Sequence, residues 1–275
     1  MADSWKEKIE IRALNTIEEL VKVRNLEKMI WQDDDPIPVH QSSTVIKHGG
    51  LAIGAFIGSE LIGFQFSFPG FDGSDIYLCS HNLGIHPKYR KLGIGEKIKL
   101  KQREKAIELG YQFIVWTYDP LETVNGYLNL SKLGGVCTQY IENCYGELPD
   151  KLNAGLPSDR FLVEWRMDEQ HTISNQEQIF ETNKQSFPLL VDIAVSKEGF
   201  PRPQHVNLNA GEGCTKLLVP VPQHFQEIKA SNIDIAKEWR MATREIFKHY
   251  LEDGWVVTRL ERGSHASVHY YVLSK

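Results

Sequence analysis

"HPKYRKLGIG", residues 86–95, sets a proline, Arg90 and Lys91 just ahead of two glycines, with a long basic helix pattern behind them. Upstream, "IYLCSHNLGI" reads as a strand that ends at His86-Pro87; downstream, Ile94, Ile98, Lys101 and Lys105 recur at helical spacing as far as Gly110. Strand, glycine-bearing turn, helix is the order an anion needs. The first N–H groups of a helix have no intrahelical acceptor and carry partial positive charge. Glycine admits close backbone approach, and consecutive N–H groups in such a turn form an anion-binding concavity. Arg90 and Lys91 add charge, and Lys97, Lys99, Lys101, Arg103 and Lys105 line the helix beyond. Taken alone, the same residues also read as a plain turn capping a solvated basic helix.

Around this stretch the pattern is regular. "KIEIRAL" alternates as a strand does. Thr16 and Glu19 have the spacing of a capping box, ahead of Leu20, Val23, Leu26 and Ile30 at helical period. A second helix is expected over about 36–48. "LAIGAFIG" and "LIGFQFSF" read as a hairpin across "SE". "YQFIVWTY" is a strong strand, and 123–133 a helix stopped by Gly134-Gly135. Two more strands, in "VCTQYIENCYG" and "RFLVEWRM", complete this half.

The composition turns polar after Asp168, so three parts are expected: 1–168, a connecting segment 169–185, and a smaller α+β region 186–275. In the last, "CTKLLVPVP" is extended, Asn232 caps a helix bearing Trp239, Ile246, Phe247 and Tyr250, and "GWVVTRLERG" with "SVHYYVLSK" forms a closing hairpin. "REKAIELGYQFIV" and "REIFKHYLEDGWVV" share the order helix, glycine, aromatic, strand, a faint internal echo.

The bulk numbers exclude some classes. A net charge of −5 over 275 residues argues against broad nucleic-acid binding. Met1 to Glu10 is polar, without the apolar core of a signal peptide. Leu51 to Phe68 is broken by glycines, Ser59 and Glu60, short of the roughly 20 apolar residues of a spanning helix. A cytoplasmic protein away from membranes is expected. Cys79, Cys137, Cys144 and Cys214 stand apart, which suits reduced thiols. The ten histidines have no zinc-ligand spacing, so no metal is expected.

The motif Arg90-x-x-Gly93-x-Gly95, placed in this order of elements, resembles the GNAT acyltransferase family over roughly residues 9 to 168. It is not a Walker loop, which wants Lys then Ser or Thr after the second glycine, and it lacks the third glycine of a dinucleotide fingerprint. The resemblance implies an α/β (α+β) fold with a mixed, mainly antiparallel central sheet flanked by helices. It implies that Arg90, Lys91, Leu92, Gly93, Ile94 and Gly95 cradle the pyrophosphate of acetyl-CoA or another acyl-CoA. It implies further that Leu83, Gly84 and Ile85 line the pantetheine arm as an added strand would, and that Asn125 or Asn129 faces the coenzyme. The family's tyrosine acid has no counterpart in "LNLSKLGG": Leu130 fills its slot, and Tyr127, one turn earlier on nearly the same face, is the substitute.

"WTYDPLETVNGYLNLSKLGG", "NCYGELPDKLNAGLPSDRFLVEWRM" and "WRMATREIFKHYLEDGW" are similar to a long-chain, poorly characterised subgroup of that family, some of whose members are linked to amino-acid N-acylation, including succinylation. The resemblance implies direct attack of an amine on the thioester. A base is then needed, because an α-amino group of pKa about 7.7–8.0 is mostly protonated at neutral pH. His81, Asp119 and Glu122 are the candidates; Cys137 has no histidine partner that would make it a nucleophile. Backbone N–H near Ile85 is a candidate for the developing oxyanion. Arg160 in "GLPSDR" is a candidate clamp for a substrate carboxylate, with surface arginine as the plain reading. Trp239, Arg240 and Arg244 read as packing residues or as contacts for the acceptor. The expected partner is a small-molecule amine, with a homodimer left open. A non-catalytic acyl-CoA-binding regulatory module is the alternative.

Overall fold

The computed structural model describes residues 9–32, 36–148, 150, 152–168, 187–263 and 267–275. The expected connecting segment 169–185 lies outside these residues. Packing divides the chain into two compact units, one of residues up to Trp116 with 166–168, the other of Thr117–Trp165 with the described residues from 187 onward.

In the first unit, β1 (Ile9–Ala13), β2 (Leu51–Ile57), β3 (Glu60–Phe71), β4 (Ile76–Ile85) and β5 (Phe113–Tyr118) form a sheet in chain order. Every pairing is antiparallel except β4 with β5, which is parallel. A parallel pair needs a crossover, and α3 (Ile94–Glu108) supplies it. Strand alternation sorts the two faces. Phe64 and Phe66 join Leu20, Val23 and Leu26 of α1 (Ile17–Trp31) in one core, with Val45 of α2 (Val39–Lys47) against it. Gln65 and Ser67 face the other way, toward Gln102 of α3. The Thr16–Glu19 capping box closes as the spacing implies, each side chain bonding the other's backbone N–H.

The second unit pairs β7 (Arg160–Arg166), β6 (Val136–Ile141), β11 (Val256–Glu261), β12 (Val268–Ser274) and β10 (Lys216–Pro222) in that order, all antiparallel. Strands β8 (Val191–Val195) and β9 (Pro201–Val206), which no sequence pattern suggested, form a separate pair. A short helix α4 (Thr123–Gly126) widens into a π-helical stretch (Tyr127–Lys132). Helix α5 (Phe225–Ser231) precedes α6 (Ile233–Glu252), whose cap Asn232 accepts from Asp234 and Ile235 N–H.

This division differs from the boundary read at 168–186. Val257 of the C-terminal hairpin pairs with Cys137, and Phe247 of α6 packs on Phe161 with ring centroids 4.6 Å apart and on Tyr271 at 5.6 Å. Strands β6 and β7 therefore share a core with the C-terminal region, which a polar stretch between them does not reveal. The internal echo is local. Gly110 and Gly254 both end a helix with positive φ, but β5 pairs in parallel whereas β11 pairs antiparallel on both sides. Among the described residues no helix is long and apolar enough to cross a membrane.

Candidate functional site

Strands β4 and β5 share two register pairs, Leu78↔Ile114 and Cys79↔Val115, and the ladder stops there. Beyond it β4 continues to Ile85 on β3 alone. The register with β3 steps between Phe66↔Asn82 and Ser67↔Ser80, which leaves His81 as the extra residue of a β-bulge. A bulge bends its strand and re-aims side chains. Its effect shows in the contacts: His81 lies against Phe68 (ring centroids 5.6 Å apart), and its neighbour Asn82 donates to Glu27 of α1 at 2.7 Å.

Past the bulge the backbone alternation can be followed. His86 N–H donates to the Ile62 carbonyl at 2.9 Å, so by the antiparallel alternation Gly84 turns its N–H and C=O to β3 as well. Leu83 and Ile85 turn theirs to the opposite edge, where the ladder with β5 has ended. Of the three residues expected to line an extended arm, Leu83 and Ile85 thus offer main-chain groups and Gly84 does not. Gly84 is needed for packing, since a Cβ there would stand 2.8 Å from Phe64 and 2.9 Å from Ile30.

The open edge runs directly into the glycine turn. Pro87–Tyr89 makes one 3₁₀ turn, Tyr89 is buried, and Arg90 Nε reaches back to the Ile85 carbonyl at 3.2 Å. Lys91 (φ 63°) and Gly93 (φ 74°) are both left-handed, and Gly93 is the N-cap of α3. Lys97 N–H is the first to bond within the helix, to the Gly93 carbonyl, so the N–H groups ahead of it point out of the helix end. A Cβ on Gly93 would meet nothing within 4 Å, so the glycine serves the φ and not the space. Arg90, Lys91 and Gly93 are exposed, and Leu92 and Gly95 are half-buried.

The basic stripe on α3 divides. Lys101 and Lys105 pair with Glu104 and Glu108 at 2.7 and 2.6 Å on the surface. Lys99 turns inward: it is 2% exposed, donates to Ser80 Oγ at 3.1 Å, and holds its Nζ 3.6 Å from the centre of the Trp116 ring. Burial pushes its pKa well below that of an ordinary lysine. Around it lie Gln65, Ser67, Ser80 and Gln102, all buried and hydrogen-bonded together, with Gln65 Oε1 the one oxygen of the set lacking a partner. Sequence reading missed this cluster, although Lys99, Gln102 and Ala106 recur at i, i+3, i+7 and so share the helix's inner face. It missed Glu27 for the same reason; Leu20, Val23 and Glu27 are in phase, and all three are buried.

A cavity of about 470 Å³ opens beside the bulge. Val45, Phe66, Phe68 and Pro69 form apolar walls, and Gln41, His48 and His81 bring polar atoms. The His81 ring is exposed in surface terms, yet the protein around it desolvates it enough to push its pKa below the usual histidine value. It is therefore neutral at pH 7.

The remaining candidates belong to the second unit. Asp119 accepts from Arg240 Nη2 and from Leu121 N–H at 2.9 Å, with Arg160 Nη1 3.8 Å away. Its oxygens are engaged in an ion pair, the arrangement of an anchor and not of a proton acceptor. Glu122 accepts from Gln226, and burial pushes its pKa up. Arg160 is buried, donating to the Asp159 carbonyl (2.9 Å) and Asn153 Oδ1 (2.7 Å), so the surface reading fails and the carboxylate clamp is already filled. Arg244 grips Asp159 through two 2.8 Å bonds. Burial raises the Asp159 carboxyl, but the bonds from Arg244, Asn143 N–H and Tyr140 outweigh it and hold it below the usual range. Trp239 is a packing residue, its Nε1 donating to the Pro201 carbonyl at 2.8 Å. Tyr127 is half-buried beneath the Arg262 guanidinium, 3.8 Å from the ring centre. Leu130 is a core residue, Asn125 is exposed and Asn129 is buried. Burial pushes the Cys137 thiol far up, which suits a packing role. Among the described residues no group of three or more His, Cys, Asp or Glu gathers to hold a metal ion.

No family model and no curated protein matches the chain. Solved structures that resemble it include yncA from Salmonella typhimurium with its cofactor acetyl-CoA (14% identity, 60% of this chain and 96% of that one, TM-score 0.47). Arabidopsis thaliana NAA60 with a bisubstrate analogue is similar at 16% identity over 58% of this chain and 98% of that one, with TM-score 0.46. An aminoglycoside 6'-acetyltransferase type Ii is similar at 17% identity over 58% of this chain and 99% of that one, with TM-score 0.44.

Proposed function

We propose that the chain is an acyl-CoA-dependent N-acyltransferase of GNAT type, acting on the amine of a small molecule. One observation carries the reading: an open strand edge at Leu83 and Ile85 leads without interruption into a left-handed turn at a helix N-terminus. An extended, amide-bearing arm fits the edge by strand-like pairing, and a pyrophosphate fits the turn. Arg90, Lys91 and the N–H groups from Leu92 to Gly95 would hold the phosphates, and Leu83 and Ile85 the arm. When bound, the coenzyme supplies an activated acyl thioester.

The chain's own groups divide the remaining work. The N–H groups that the open edge turns away from β3 are the candidate donors to an acyl carbonyl oxygen. His81, neutral and beside the cavity, accepts the proton of the incoming ammonium directly or through water. The walls of Val45, Phe66, Phe68 and Pro69 favour an amine on an apolar body. The departing thiolate is a fair leaving group in itself, with a free-thiol pKa near 8.5.

Release of coenzyme A thiol tests this, using acetyl-CoA and succinyl-CoA with pooled alkylamines, arylalkylamines, amino acids and polyamines. Acceptor-dependent release, greatest with apolar amines and lost in Gly93→Val, is the expected result. Tight coenzyme binding with no release from any pool would instead mark a non-catalytic acyl-CoA-binding module.

A further inference from the structure

We propose that Lys99 is the wedge that keeps β4 and β5 apart, and so a positioning residue for whatever pairs with the open edge of β4. The inference deepens the coenzyme reading above and rests on it for the identity of the ligand. The geometry is specific to one point in the sheet. Cys79↔Val115 is the last ladder pair, and the next residues along the two strands are Ser80 and Trp116. Lys99 touches both, with Nζ 3.1 Å from Ser80 Oγ and 3.6 Å from the Trp116 ring centre. It comes from the crossover helix that joins the two strands, so a single rigid element spaces them.

Ser80 is fixed in turn. Its hydroxyl also meets Gln65 Nε2 at 3.2 Å and Gln102 Oε1 at 3.5 Å, while Ser67 Oγ accepts from both of those glutamines' amides. Strand β3 and helix α3 thereby hold the residue at which β4 starts to diverge, immediately before the bulge at His81. The cluster is poorly suited to stability alone. A buried polar network with an oxygen left unpaired is worth less than aliphatic packing in the same space, and Gln65 Oε1 has no partner. A buried lysine whose folded pKa is depressed opposes folding at every pH below its unfolded value, because the unfolded chain binds the proton more tightly. A lysine kept at such a point serves the shape of the strands.

Lys99→Met keeps an unbranched side chain one atom shorter and removes the bond to Ser80. Binding of coenzyme A and of adenosine 3′,5′-bisphosphate, which has the nucleotide but no arm, separates the edge from the turn. Lys99→Met is expected to weaken coenzyme A about tenfold or more, to leave the bisphosphate within about twofold, and to leave Tm unchanged or raised. A folded variant that binds coenzyme A as the parent does, or loses both ligands alike, overturns the proposal. If the parent itself binds neither ligand, the coenzyme reading falls, and amide exchange of the free proteins decides the wedge. Leu83 and Ile85 amides protected about tenfold more in Lys99→Met than in the parent support it; equal protection overturns it. Should Lys99→Met fail to fold, Ser80→Ala, which keeps the lysine, is read by the same pair of ligands, with a loss of about threefold expected for coenzyme A only.

Discussion

Each unit of the chain buries a polar cluster, and the two are built in opposite ways. In the second unit, carboxylates and guanidiniums are paired, Asp119 with Arg240 and Asp159 with Arg244 at two points and with Tyr140 at 2.6 Å, although Arg240 Nε and Nη1 are buried without a partner among the described residues. In the first, Lys99 donates to a serine hydroxyl within a network of serine hydroxyls and glutamine amides. The charged cluster closes on itself and ties α6 to the start of β7. The hydroxyl and amide cluster around Lys99 sits where two strands part. Charge density alone does not mark the proposed site: the paired charges tie elements of the second unit together, and the proposed opening lies beside the hydroxyl and amide network.

That contrast can be broken by mutation. Asp159→Asn would leave the part-exposed Arg244 guanidinium with Glu142 alone and weaken the bonds from Tyr140 and Asn143, and a loss of about 1–3 kcal/mol of unfolding free energy is expected. Urea denaturation measures it; a loss under about 1 kcal/mol would show the cluster to be dispensable. Coenzyme affinity of the folded fraction should not change. Gly93→Val should do the reverse. Its left-handed φ costs a β-branched residue about 1–2 kcal/mol, and distortion of the turn should weaken coenzyme A binding about tenfold by calorimetry. Unchanged affinity would remove the turn from the site.

Smaller effects sharpen the same contrast through pH. His81 has a depressed pKa, so its neutral form persists at pH 7 and is lost as pH falls below the ordinary histidine value near 6.5. The acid limb of turnover should lie below pH 6.5 and vanish in His81→Ala; an identical limb in the variant would assign it elsewhere. Asp159 acts on stability instead. Its folded pKa lies below the unfolded one, so its contribution is complete above about pH 4 and is lost as pH falls through the folded value. Unfolding free energy measured from pH 5 to pH 2 should therefore fall in the parent more steeply than in Asp159→Asn. Least of all, Thr16→Ala should cost about 1 kcal/mol through its helix cap, with no effect on either cluster.

The fold of the first unit was legible because its signals are local. The capping box, the glycine hairpin and the strand–turn–helix at 86–95 each state their geometry within a dozen residues. The elements of the second unit were legible too, the Asn232 cap and the closing hairpin among them, but their grouping was not, because β6 and β7 complete their core with residues roughly a hundred positions later, Phe247 and Tyr271 among them. At the site, Arg90, Lys91 and Gly93 were readable from the motif, and the left-handed φ of Lys91 and Gly93 was not. Asp119, Arg160 and Arg240 looked available because sequence shows a charge without its partner. Lys99 looked solvated because the lysines around it are. Only its phase with Gln102 and Ala106 pointed inward, and the bulge at His81 has no sequence mark at all.

Amide exchange at residues 83–85, with and without coenzyme A, tests the open edge most directly. The strand alternation predicts that Leu83 and Ile85 gain protection when the coenzyme binds while Gly84, already bonded to β3, changes little. Uniform change across all three, or none in the presence of bound coenzyme, would contradict a strand-like arm on the edge of β4.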